Sequence, residues 1–369
     1  MASIVAAEAE YRAWLQGQLG REFRAKDYER RLARMAEGPF PFLRATYWRW
    51  CDYPLGFSRH RRVLSVGDIH IENFGTWRDA DGRLVFGVND LDEAAVMQWP
   101  HDLVRLLASA RLAAQDRVLG PGMTTMARAL LAGYRHGLAE RRPVILDGTS
   151  GLWDMLVLTS VAAHQAFWAE ERRDLNKRRA RPPARYRAAL RDAFPPGAEL
   201  GEPYARKAGT GSLGRPRFAV IGEYRGGPVL REVKRLLPSS WSVRIGEEPP
   251  RNRTREAASL PTRAPDPWFA VVGAIAVRRL SPNNRKIEID KAETDPPCLP
   301  LPLRPEVLYA MGRDIGAMHG ARAEDAEAIA ASLEAEHPGT AWLTNRAERL
   351  AEIVERDHAE WKGSRGTAD

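Results

Sequence analysis

Apolar residues recur every three or four positions over most of the chain, and this beat gives way to strand-like runs in two places. In residues 5–36 the apolar positions Tyr11, Trp14, Leu15, Leu19, Phe23, Tyr28, Leu32 and Met35 stand among charges. They predict one long helix that Gly38-Pro39 closes. The aromatic stretch PFPFLRATYWRW, residues 39–50, predicts a helix buried under whatever follows it. Two short runs, Thr76–Trp77 and Leu84–Val88, then flank Asp79-Ala80-Asp81-Gly82. An Asp-Gly turn between such runs predicts a β-hairpin. Helical periodicity resumes in WPHDLVRLLASARLAA and continues over 121–140 and 151–170. The second strand-like zone is 209–236, where Phe218–Ile221 and Val229–Val233 flank Gly226-Gly227. Residues 268–280 and 286–290 predict two further strands, and helices return from Glu306 to about Trp361.

This alternation predicts an α+β fold with two lobes, a small antiparallel sheet and a larger helical part. The expected divisions are 1–200 for the hairpin and helical lobe, 201–295 for a β-rich lobe, and 296–369 for helices returning to the first. A length of 369 residues can hold two cores, and 44% hydrophobic with 28% charged residues is ordinary for a globular chain. No apolar run approaches the ~20 residues that span a bilayer, so no membrane partner is expected. The start, MASIVAAEAEYRAWL, carries acids and no basic leader, which together with the lack of a span leads us to expect a cytoplasmic protein. Cys51 and Cys298 alone make neither a disulfide framework nor a zinc site.

A formal charge of +8 favours anionic ligands, whether nucleotides or nucleic acid. The aromatic-basic mix of 39–50, with Arg44 and Arg49, could stack bases, but a core helix explains it more cheaply, and nucleic acid is not the expected partner. The basic run 171–192 reads as a solvated face, with a site for an acidic substrate as the other reading.

The candidate chemistry lies in GDIHIENFGTWRDADGRLVFGVNDLDE, residues 67–93. Asp68 is followed five residues later by Asn73, and the hairpin returns the chain with Asp90, Asp92 and Glu93 at its end. Singly, each could merely make or cap a turn, as His70 is expected to do. As a spaced set they suit phosphoryl transfer, which needs a group to orient the attacking hydroxyl and oxygen ligands for Mg²⁺. Asp68 is the expected base or positioner, Asn73 and Asp90 the metal ligands, and Asp92 either a support behind the metal ligands or a ligand of a second metal. Asp102, after Pro100, is read as a structural residue in the first turn of its helix. Downstream, Gly209, Gly211 and Gly214 make G-x-G-x-x-G. A dinucleotide site wants a helix after such glycines, whereas strands follow here. A phosphate-covering loop with strands on both sides fits better, with Ser212 in the loop and Lys234 on the next strand to pair phosphate. A solvent-exposed lysine at a strand end is the bland alternative. Glu247, Glu248 and Glu256 are the candidate partners of Lys234.

The order Asp, four residues, Asn, hairpin, Asp resembles the catalytic and metal loops of protein kinases, and GDIHIEN with VNDLDEA resembles the aminoglycoside phosphotransferases. Leu91 stands where that branch carries an aromatic residue. In kinases the glycine loop and lysine come first; here they follow the catalytic loop by more than a hundred residues. The parts match a circularly permuted kinase-like chain, which surface termini lying close together would tolerate. ARMAEGPFPFLRAT, GDIHIENFG, FGVNDLDEA with WPHDLVRLLAS, and AVRRLSPNNRK are also similar to a bacterial family catalogued as domain of unknown function 2252. The resemblance runs from about residue 30 to 325, with 238–267 departing from it. It implies a kinase-like fold but no known acceptor. The expected function is therefore an ATP- and Mg²⁺-dependent phosphotransferase acting on a hydroxyl of a small molecule or protein. An AMP-transferring nucleotidyltransferase and a non-catalytic nucleotide-binding adaptor remain as alternatives.

Overall fold

Two helices, not one, occupy the first periodic run. In the computed structural model, which describes residues 2–114, 122–146, 151–156, 160–206, 209, 211, 213–289 and 299–366, α1 (Ile4–Leu19) and α2 (Ala25–Met35) are separated by a short turn. Gly20 takes a left-handed φ of 51°, and the Arg24 amide donates to the Gly214 carbonyl at 3.0 Å. The break therefore seats the far end of the glycine-rich loop between the two helices, a tertiary reason that helical periodicity does not encode.

Residues 39–50 form α3 (Pro39–Ala45) and α4 (Tyr47–Trp50), with Phe42, Leu43, Tyr47, Trp48 and Trp50 buried, so the core reading of this stretch holds. β1 (Arg62–Ser65) follows, then the hairpin of β2 (Phe74–Arg78) and β3 (Leu84–Val88), then β4 (Ala95–Gln98). β1 pairs antiparallel with β4, bracketing the hairpin between them. β2 and β3 pair from Phe74↔Val88 to Arg78↔Leu84, and Asp79 Oδ1 accepts from the amides of Asp81 and Arg83 across the turn. Gly82, at φ 75°, supplies the left-handed residue that this turn requires.

The helical part is built from α5 (Pro100–Ala114) and α6 (Met123–Glu140), joined later by C-terminal helices. β5 (Val144–Leu146) adds a third strand beside β3. The run expected over 151–170 is α7 (Leu152–Leu156) and α8 (Val161–Lys177), and α9 (Ala184–Asp192) completes the basic segment. Arg172, Arg173, Lys177, Arg179, Arg181, Arg185, Arg187 and Arg191 are exposed, as a solvated face requires.

A six-stranded antiparallel sheet follows, from β6 (Glu199–Leu200), β7 (Tyr204–Ala205), β8 (Arg217–Tyr224), β9 (Gly227–Arg235), β10 (Ala270–Val272) and β11 (Ile275–Leu280). Its order is β10-β11-β9-β8-β6, with β7 also on β8. The strand alternation gives this sheet two distinct faces. Phe218, Val220, Val233, Ile275 and Val277 face Tyr186, Ala189 and Leu190 of α9. Ala219 and Leu230, on the other face, join Tyr204 and the α8 residues Phe167 and Trp168. Both helices precede residue 200, so the β-rich sheet is covered by chain from before the expected division. Residues 268–280 contain two strands, whereas 286–289 contribute one bridge, Gly75↔Lys286, to β2 and no strand of the sheet.

Between β9 and β10 lie the short helices α10 (Ser240–Arg244) and α11 (Thr254–Ala258). The chain closes with α12 (Pro305–His319), α13 (Ala323–Ala335) and α14 (Ala341–Gly366). α12 crosses α6 in backbone contact. A Cβ at Gly133 or Gly137 would run into the carbonyls of Tyr309 and Arg313, and one at Gly312 or Gly316 into those of Leu130 and Tyr134. No helix among the described residues is long and apolar enough to cross a membrane.

Candidate functional site

Three side chains of α5 hold the loop that carries Asp68. Asp102, Arg105 and Ser109, spaced three and four apart, share one helix face. Asp102 accepts from the amides of Val66 at 2.7 Å and Gly67 at 3.0 Å. Arg105 donates to Leu43 O at 3.0 Å and to Asp68 Oδ1 at 2.5 Å, and Ser109 Oγ accepts from the Ile71 amide at 3.0 Å. Asp102 is itself met by His319 Nε2 at 3.1 Å, whose Nδ1 faces the Tyr134 hydroxyl at 2.9 Å. Asp102 is thus the structural brace that its place in the helix suggests. Burial raises the Asp68 carboxyl above its ordinary value and nearby Asp90 adds to this, against the lowering by Arg105.

The hairpin brings Asn73 and Asp90 together as its pattern implies. Asn73 Nδ2 donates to the carbonyls of Asp68 at 3.2 Å and Asp90 at 3.0 Å, while its Oδ1 accepts from the Asp90 amide at 2.9 Å. One amide therefore ties the Asp68 loop to the Asp90 loop and keeps one oxygen lone pair in reserve. Lys234 reaches this point from β9. Its Nζ lies 2.9 Å from Asp90 Oδ1 and 2.7 Å from Asp92 Oδ1, and the side chain is buried rather than exposed at a strand end. Asp90 remains 37% exposed, so one face of the pair is open to a ligand. Burial would raise Asp90, but Lys234, Arg278 and Arg217 outweigh it and hold the carboxyl far below the usual range. Burial and the charge of Asp90 push Asp92 the other way. Lys234 is the only cation at Asp92 Oδ1, and Asp92 Oδ2 is buried without a hydrogen-bond donor among the described residues.

Lys234 shares its sheet face with Glu232 and with their cross-strand neighbours Arg217 and Arg278. Glu232 is fully buried and contacts Arg278 Nε at 2.6 Å, Arg206 Nη1 at 3.0 Å and Arg217 Nη1 at 3.3 Å. The three suggested glutamates do not reach Lys234. Glu247 bonds Ser242 and Arg253, Glu256 bonds Arg253, and Glu248 is exposed. The lysine's acidic partners are the two aspartates instead.

The glycine stretch links β7 to β8, which pair as Tyr204↔Ala219 and Ala205↔Phe218, so strands flank it on both sides. Its members have different surroundings. A Cβ at Gly211 would sit 3.1 Å from Arg44 O and 3.2 Å from Asp68 Oδ2, so a side chain here would crowd the carboxylate and the glycine backbone runs close beside it. Gly209 is exposed with open space about it, and Gly214, at φ 98°, packs against Tyr28 and Leu15. Ser212 lies outside the described residues. Arg215 closes the loop onto Glu93 at 2.9 Å, and Glu93 also accepts from the Ser240 amide. His70 is buried, and burial first, then Arg44 and Arg105, lower its pKa well below the ordinary value. Its Nδ1 has no hydrogen-bond partner, and its carbonyl, not its ring, takes the Asn73 amide at 2.8 Å.

Sequence reasoning missed Arg105, Ser109 and the arginine cage of Glu232. The first two were available from their spacing with Asp102; the cage depends on strand register. No curated protein and no solved structure matches the chain. A family model does match, over residues 25–194 and 200–364, which includes every motif of the site: the chain belongs to the family described as "Uncharacterized protein conserved in bacteria (DUF2252)".

Proposed function

We propose that this chain is an ATP- and Mg²⁺-dependent phosphotransferase of circularly permuted, two-lobed kinase-like design, acting on a hydroxyl of a small molecule or protein. One observation carries the reading: Lys234 meets Asp90 at 2.9 Å across 144 residues of sequence, beside Asp92, Asn73 and Asp68. A lysine over two carboxylates is the charge pattern that a metal–nucleotide complex would exchange with, phosphate for the lysine and cation for the acids. The donor set fits a hard cation, because every candidate ligand is an oxygen and Asp92 Oδ2 is buried without a donor among the described residues. Asp90, Asp92 and Asn73 Oδ1 would hold Mg²⁺, which when bound neutralises phosphate charge.

In this reading Asp68 accepts the proton of the attacking hydroxyl on its Oδ2, since Oδ1 is held by Arg105. A raised pKa improves a carboxylate as a base. Arg105 fixes the carboxylate plane, Asn73 sets the distance between the two loops, and the Gly211 backbone covers the Asp68 side of the site. The test is incubation with Mg²⁺, a bacterial metabolite extract and ATP labelled at either the γ or the α phosphate, followed by mass analysis. The γ label should move to an acceptor, and Asp68→Asn should slow the transfer by ~10²–10⁴-fold. Movement of the α label would establish AMP transfer instead, and movement of neither would leave a binding protein.

A further inference from the structure

A second cluster of metal-ligating side chains lies away from these residues. His60, in the segment before β1, meets Glu336 and His337 at the end of α13, with one ligand atom from each within 4.8 Å of the others. The two imidazoles face each other through Nε2 atoms 2.7 Å apart, with rings nearly parallel at 17°. His60 Nδ1 lies 3.2 Å from the Phe57 carbonyl, which only a protonated Nδ1 can use. That bond leaves His60 Nε2 as the acceptor of a hydrogen bond from His337 Nε2–H, a proton that must pass to His337 Nδ1 when an ion takes both nitrogens. A backbone carbonyl behind a histidine is the arrangement that orients metal ligands. Trp99 and Trp342 stack edge-on or tilted against the pair, an apolar wall on one side with the exposed Glu336 on the other.

We propose that His60, His337 and Glu336 form a binding site for a zinc-class divalent ion, with the fourth position open to water. Two nitrogens on one tetrahedral ion are separated by roughly 3.3 Å, given Zn–N bonds of ~2.0–2.1 Å. The present spacing of 2.7 Å therefore needs an opening of roughly 0.6 Å, within reach of side-chain rotation. The bound ion would fasten the residue 57–61 segment to the α13–α14 junction. Because Trp99 N donates to Arg61 O at 3.2 Å, the clamp sits directly before α5, the helix that positions Asp68. This site is independent of the nucleotide reading.

The experiment uses the full chain, stripped with chelator and titrated with Zn²⁺ alone, without nucleotide or Mg²⁺. Wild type should take up one tight equivalent with a rise in melting temperature, and Co²⁺ in its place should give the strong visible absorption of a tetrahedral site. The His60→Gln, His337→Gln double variant should lose both signals. Glu336→Gln, at an exposed position that leaves folding intact, should weaken uptake by roughly tenfold or more. Equal Zn²⁺ uptake by wild type and the double variant, or no tight uptake by wild type, would overturn the site.

Discussion

At the scale of single residues, the half-buried Asp68 and the fully buried Glu232 are perturbed in opposite directions, and each has its own pH signature. Asp68 is raised by burial and by Asp90, so the acid limb of activity should lie above the ordinary aspartate value. Arg105 is its main lowering partner, and Arg105→Gln should move that limb to higher pH while reducing kcat. A merely structural arginine would change stability without moving the limb. Asp68→Asn should cost ~10²–10⁴-fold in kcat. Glu232 is the contrary case. Burial would raise it, but Arg217, Arg278 and Arg206 outweigh this and depress it below the usual range. A depressed folded-state pKa means that the unfolded chain binds the extra proton, so stability rises with pH. The contribution is fully present above the ordinary glutamate pKa and is lost as pH falls towards the folded one. Glu232→Gln should lower stability at neutral pH by about 3–5 kcal/mol, because it strands buried guanidinium charge. It should also flatten the acid limb of urea-unfolding stability, and an unchanged limb would show that the cage is not what acid disrupts.

At the scale of elements, the crossing of α6 and α12 sets two effects against each other. Alanine is better than glycine in a helix by about 1 kcal/mol, so Gly137→Ala or Gly312→Ala should stabilise on propensity alone. Their new methyl groups would meet backbone carbonyls, which cannot swing aside as side chains can. Overpacking of this kind costs about 1–3 kcal/mol, and we expect a net loss in thermal unfolding for both variants. The glycines could have been found from their four-residue spacing in AGYRHG and MGRDIG. Local pattern revealed much of the rest. The β2–β3 hairpin, the β8–β9 pair turning at Arg225-Gly226, and the buried helices at 39–50 all follow from nearest-neighbour chemistry. What stayed hidden depends on distant partners: the break between α1 and α2 answers to Gly214, and residues 286–289 bridge to β2 rather than to the nearby sheet. Within the site, Asp68, Asn73, Asp90 and Lys234 were legible because their spacing is local to two hairpins. The glutamate expected for Lys234 was not, because only the fold shows that two aspartates already occupy the lysine.

For the whole molecule, the proposed function would make nucleotide entry an exchange of partners at the ion pairs of Lys234. Free ATP would bring negative charge to two carboxylates, so titration calorimetry should find binding weak without Mg²⁺ and strong with it. Asp90→Asn should erase most of that difference, and an affinity indifferent to both changes would remove these acids from the site. Neutralising the exposed Arg179 and Arg181 together with the half-buried Arg178 should leave ATP affinity within a few-fold, since all three lie in the link between α8 and α9 rather than beside Asp90 and Lys234. The brace behind Asp68 also bears on the chain's birth at the ribosome. Asp102 needs His319, and Arg49 and Tyr53 near the loop bond Asp357 of the last helix at 2.7 Å. The residues of the Asp68 loop thus leave the exit tunnel long before their supports are made. A nascent chain stalled short of α12 should keep residues 62–72 open to a protease pulse, and release of the finished chain should close them.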